Sequence, residues 1–167
     1  MSLESIATYV QSLPFSAAMR GETSGTAWLF PIVETCHIFM LAIVFGSIAM
    51  MDLRLLGVAS KNTSITRLAS ETLPWTWTAW VAAAITGSMM YAAKAVVYTE
   101  NFQVRMKFLC MGLAGINMLV FHFGAYRSVS AWDASPSPPS AARVAGGLSL
   151  SLWIAVIFFG RWIGFTT

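Results

Sequence analysis

Residues 27–51 read AWLFPIVETCHIFMLAIVFGSIAMM, 25 positions that are almost wholly apolar. At about 1.5 Å rise per residue, a helix over this stretch crosses a bilayer core of about 30 Å. It nevertheless carries Glu34 and His37, one helical turn apart. An ionisable group inside a membrane span is costly, so it faces protein, a cofactor or water rather than lipid. The only other histidine, His122, lies in another apolar run. These two histidines are the strongest functional signal in the chain.

Composition agrees with a membrane reading. Of 167 residues, 57% are hydrophobic and 10% charged, with a mean hydropathy of +0.68. A soluble domain carries about 25% charged residues. A net charge of +3 from scattered basic residues excludes a nucleic-acid surface. The first residues lack a basic segment and include Glu4, which does not suit a signal peptide. Cys36 and Cys110 fall in apolar spans and form no CxxC pair, so they read as packing residues.

Working outward, the pattern predicts an all-α integral membrane protein of one domain, residues 1–167. It is an up-down bundle of four transmembrane helices with a short N-terminal amphipathic helix on the membrane surface. Leu3, Ile6, Val10 and Leu13 recur at helical spacing, Ser2 can cap them, and Pro14 ends the run, giving the interfacial helix at 3–13. The spans are 27–51, with Asp52 and Arg54 marking its exit, 73–97, with small residues from Ala82 to Gly87 at its centre, 106–126 and 145–165. Pro74 suits the first turn of the second span, behind a polar connection at 59–71. Pro136, Pro138 and Pro139 make residues 128–142 a loop. In the fourth span Gly147 and Ser151, then Gly160 and Gly164, are spaced for close helix contact, within the bundle or between protomers. Loop charges tilt the positive-inside balance toward both termini facing out.

A b-type haem needs a slot, one or two axial ligands, and cations for its propionates. His37 and His122 are the candidate ligands, although their positions in parallel spans differ by about 9 Å in depth. Gly112, Ala114 and Gly115 can leave room for a flat ring. Lys94, Arg105, Lys107 and Arg161 gather at one end, with Lys107 and Arg161 the chosen propionate partners. Glu34 can orient His37, and Asn117 is a further polar neighbour. Two alternatives stay open. Copper or another metal suits ten methionines, although these form no repeated ligand motif. A hydrogen-bonding role for both histidines would instead suit a structural membrane subunit.

The runs Trp28-Leu29-Phe30-Pro31, Glu34, His37 and Asp52-Leu53-Arg54-Leu55-Leu56-Gly57 resemble a family of small bacterial four-span membrane proteins of unknown function. Thr86-Gly87, Asn101-Phe102 to Lys107, Asn117, Phe121-His122 and Trp153 to Arg161 extend the resemblance over about residues 8–166. It implies a multi-pass protein of the bacterial inner membrane and brings no activity with it. More distantly, the layout is similar to bacterial membrane protoporphyrinogen oxidases and copper-resistance D-type proteins. In the oxidases a first-span histidine and a third-span lysine, followed by a histidine, accompany b-type haem. His37, Lys107 and His122 occupy comparable places, with a longer interval between the last two. The expectation is a haem b protein of electron transfer. It would act as a homo-oligomer or in a larger membrane complex, with a quinone or a cytochrome as redox partner.

Overall fold

The structure, a computed structural model, describes residues 2–166. Among the described residues seven α-helices follow one another: α1 (Leu3–Ser12), α2 (Pro14–Met19), α3 (Leu29–Leu55), α4 (Ile65–Ala93), α5 (Ala95–Glu100), α6 (Phe102–Phe123) and α7 (Ser140–Thr166). A 3-10 segment, Ala125–Ala131, follows α6. Three helices, α3, α6 and α7, are long and apolar enough to cross a membrane. Their apolar side chains point mostly outward; Phe39, Val120 and Phe158 are each more than half exposed. That arrangement is stable only where lipid replaces water.

Local chemistry sets the helix ends. Ser2 caps α1 as expected, its hydroxyl accepting from the Ser5 amide. Pro14 does more than end α1. It occupies the first turn of α2, where its missing N–H costs nothing. Along α1, Leu3 and Ile6 are exposed and Ala7 is the buried residue. Pro74 does not start the second long helix. It lies inside α4, which begins nine residues earlier, where the Ser64 hydroxyl accepts from the Arg67 amide. Residues 65–71, expected as loop, are helical. At the far end α4 stops at Ala93, and Lys94 (φ −132°, ψ 38°) turns the chain into α5. The third long helix starts at Phe102 because the Asn101 side chain accepts from the amides of Gln103 and Val104. Part of the expected 128–142 loop is ordered as the 3-10 segment, and α7 begins after the prolines.

Helices α3 and α4 pack as one antiparallel hairpin, α6 and α7 as a second, and α3 meets α7. The α3–α7 contact is close. A Cβ on Gly146 would stand 3.0 Å from the Asp52 carbonyl oxygen and from Leu55 Cβ. Asn117 ties α6 to α7 by donating to the Ala145 carbonyl at 3.0 Å. The fourth side of the square, between α4 and α6, stays open at the backbone level and is spanned at one end by the rings of Tyr91 and Phe108. Apolar cores close both ends. One joins Met19, Val33 and Ala93; the other joins Leu55, Ile65 and Ala142 beneath Phe121, Tyr126 and Trp132.

Asp52 and Arg54 do not mark an exposed exit from α3. Both are buried, Arg54 completely. The Arg54 guanidinium donates to the carbonyls of Thr63, Asp133 and Ser135, joining the loops that follow α3 and precede α7. The planar guanidinium spreads its donors over several atoms in a fixed fork, which suits carbonyls on separate loops better than the single nitrogen of a lysine.

Candidate functional site

His37 sits on the face of α3 that meets α4 and is buried. Its ring lies over Gly87, where a Cβ would come within 3.0 Å of Cε1. One residue earlier, Thr86 Oγ1 is 2.9 Å from His37 Nδ1. The Thr86 hydroxyl proton is directed to the Ala82 carbonyl at 2.8 Å, so the oxygen is left as an acceptor toward the ring. The Ala83 carbonyl faces the ring as a second acceptor. With Thr86 Oγ1 as an acceptor at Nδ1, the tautomer that carries its proton there is the one that fits this contact. Nε2 then keeps its lone pair and makes no hydrogen bond to another described residue. This is the form in which an imidazole ligates a metal.

Lys107 of α6 is the cation within electrostatic reach of that ring. Its Cδ, Cε and Nζ lie along Gly160 of α7, each 3.7 Å from where a Cβ would stand. It has no ion pair or hydrogen bond among the described residues. Three helices thus converge on an interior place holding a basic ring nitrogen and an amine with no acid to neutralise it.

The other expected residues lie elsewhere. His122 is exposed near the end of α6, its ring 5.0 Å from that of Tyr126 and its Nδ1 near the Met118 carbonyl. It stands fifteen positions beyond Lys107, about 22 Å along the helix. The structure therefore does not bring the two histidines to one site. Glu34 is exposed and within reach of Tyr98; the partner of His37 Nδ1 is Thr86. Arg161 folds over its own helix onto the Phe165 ring, 5.0 Å from the centroid, and its neighbour Gly160 is the residue that meets Lys107. Gly112 and Gly115 face open space, with nothing within 4 Å of a Cβ at either. Asn117 serves the α6–α7 contact. Both cysteines are free thiols.

The contribution of Thr86, Gly87 and Gly160 needed the pairing of helices to be seen. The sequence offered a small-residue run in α4, Thr86-Gly87 as part of the family resemblance without a role, and a glycine pair in α7. Among the described residues no three His, Cys, Asp or Glu side chains converge, so a metal ion held by three such ligands has no site there. His37 and Lys107 are an imidazole and a cation held within electrostatic reach of each other.

Searches of the curated proteins and of the solved structures give no match for the chain. Residues 17–166, from α2 through the end of α7, match a family of unknown function, DUF6644, and the chain belongs to it.

Proposed function

We propose that this protein is a multi-pass protein of the bacterial inner membrane that holds a b-type haem against His37 and carries electrons. In this reading α4 is the fourth span, antiparallel to α3 along the bundle. The observation that carries the proposal is the state of His37. Its Nδ1 faces Thr86 of α4, and Lys107, which has no ion pair among the described residues, is within electrostatic reach of its ring; this supports an Nδ1–H imidazole whose Nε2 is free to ligate. When bound, the iron would supply the one-electron chemistry. The protein's own part is to hold the ring in one tautomer, to keep water from it, and to offer Lys107 as a cation to a carboxylate. His122 has no place in this site within one protomer, so the reading rests on His37 alone as axial ligand. A larger membrane assembly and a quinone or cytochrome partner belong to the same proposal.

A second reading has its own observation. The His37 ring fits Gly87 as a knob fits a notch, and its bond to Thr86 joins α3 to α4 without any cofactor. The protein would then be a structural membrane subunit.

The visible spectrum of protein purified from cells supplied with haem separates the two. The haem reading expects a Soret band that His37→Ala abolishes and His122→Ala leaves in place. A colourless wild type, or bands unchanged in His37→Ala, sinks it.

A further inference from the structure

The open side between α4 and α6 contains a groove of about 510 Å³, roofed by the N-terminal helix and floored by α5. Three rings form its walls. Tyr91 stands 5.9 Å from Tyr98 and 6.5 Å from Phe108, at interplanar angles of 48° and 71°. All three line the groove and so present aromatic surface to a further flat ring.

The polar groups are few and specific. The Tyr91 hydroxyl is engaged with Thr99 Oγ1 at 2.7 Å, whose own proton goes to the Ala95 carbonyl. The Tyr98 hydroxyl has no hydrogen bond to another described residue. Arg105 uses Nε to hold the Thr99 carbonyl at 3.1 Å, which fixes the guanidinium and leaves both terminal nitrogens as donors. Glu4 and Glu100 also line the groove. Two carboxylates against one guanidinium oppose a phosphate headgroup. A neutral ring bearing carbonyl acceptors meets no such repulsion. It can stack on the aromatics and accept from Arg105 and Tyr98. From exposed Phe108 the same face of α6 continues past Gly112 and Gly115, which face open space, to exposed Leu119, an apolar path on which a lipid-soluble tail can lie.

We infer that the groove between α4, α5 and α6 is a binding site for a quinone headgroup, with Tyr98 and Arg105 as its hydrogen-bond donors and its isoprenoid tail along α6. Binding rests on the groove alone. Only its meaning, as the partner of a redox protein, rests on the proposed function.

The test uses full-length protein in phosphatidylcholine nanodiscs and a photoreactive azidoquinone, with decylubiquinone as competitor. Saturable labelling mapped to peptides containing Tyr98 to Phe108, and displaced by decylubiquinone, is the expected result. Tyr98→Phe and Arg105→Gln should each raise the apparent Kd about three- to tenfold, and Phe108→Ala by more. Tyr98→Phe keeps the ring and its packing, so its effect is read even if Arg105→Gln disturbs α5. His122→Ala, which lies in neither site, should label as the wild type does, and labelling is read by peptide mass rather than by the Soret band, which separates this site from the haem reading. Labelling no stronger than in empty nanodiscs, labelling mapped elsewhere, equal affinity in both conservative variants, or equal competition by phosphatidylglycerol would overturn the inference.

Discussion

The imidazole of His37 lies directly on Gly87, so closely that a methyl group on α4 would stand 3.0 Å from Cε1. Carbon atoms rest at about 3.5–4.0 Å, so the ring must move for any other residue to fit. Gly87→Ala is expected to push the ring off α4 and strain its bond to Thr86, at an overpacking cost of about 1–3 kcal/mol. A thermal melt in detergent should show the loss of stability. In haem-loaded protein the absorption bands should shift or weaken. A variant identical to wild type in both measurements would mean that the ring has other room.

Thr86 controls the tautomer. With its hydroxyl proton on the Ala82 carbonyl at 2.8 Å, its oxygen is placed to accept from a His37 Nδ1–H. Thr86→Val keeps the shape and removes the acceptor, at a cost of about 1–3 kcal/mol for a buried donor left unpaired. Thr86→Ser keeps both the acceptor and the stability. Nitrogen-15 NMR of histidine-labelled protein should show the Nδ1–H form in wild type and Thr86→Ser, and a mixture in Thr86→Val. An Nε2–H signal in the wild type would refute the assignment.

Much of this bundle was legible in the chain, because a long apolar run has few alternatives. His37 stood out for the same reason: an imidazole in such a run must be accounted for. What stayed hidden depended on register between helices. Thr86 and Gly87 are ordinary small residues until α4 is laid against α3. His122 obeyed the same rule as His37, yet it lies near the end of α6 beside Tyr126, where a polar ring is cheap to expose. Pro74 misled because proline favours first turns. The true start, Ser64, lay in a run whose serines and threonines looked like loop. Arg54 read as a boundary charge, and only the folded loops supply the carbonyls that explain its burial.

Asp133 caps α4 from the loop before α7. Its carboxylate accepts from the Thr66 hydroxyl at 2.6 Å and from the Thr66 amide at 2.8 Å. These bonds, the hydroxyl's first, hold the carboxyl below the usual carboxylate range. A pKa lowered in the folded state gives stabilisation that is complete above the unfolded value, near 3.9, and lost as pH falls through the folded one. The site is exposed, so the contribution is modest. Wild type should therefore lose stability below about pH 4 by more than Asp133→Ala, whose melting temperature should be lower at neutral pH and flatter in acid. Parallel curves for the two proteins would show that the contact contributes nothing.

Gly160 offers the last test, because the spacing of Gly160 and Gly164 suggested helix contact while the fold shows what Gly160 meets. A Cβ there would lie 3.7 Å from Lys107 Cδ, Cε and Nζ, an ordinary contact distance. Gly160→Ala should therefore be tolerated, gaining helix propensity of up to about 1 kcal/mol. A leucine cannot fit beside the lysine stem and must displace it. Because that contact lies inside one protomer, Gly160→Leu should alter the surroundings of His37 while leaving the mass in mild detergent unchanged. Histidine-labelled NMR and native mass spectrometry read the two effects separately. A changed mass with an undisturbed His37 signal would place Gly160 at a contact between protomers instead.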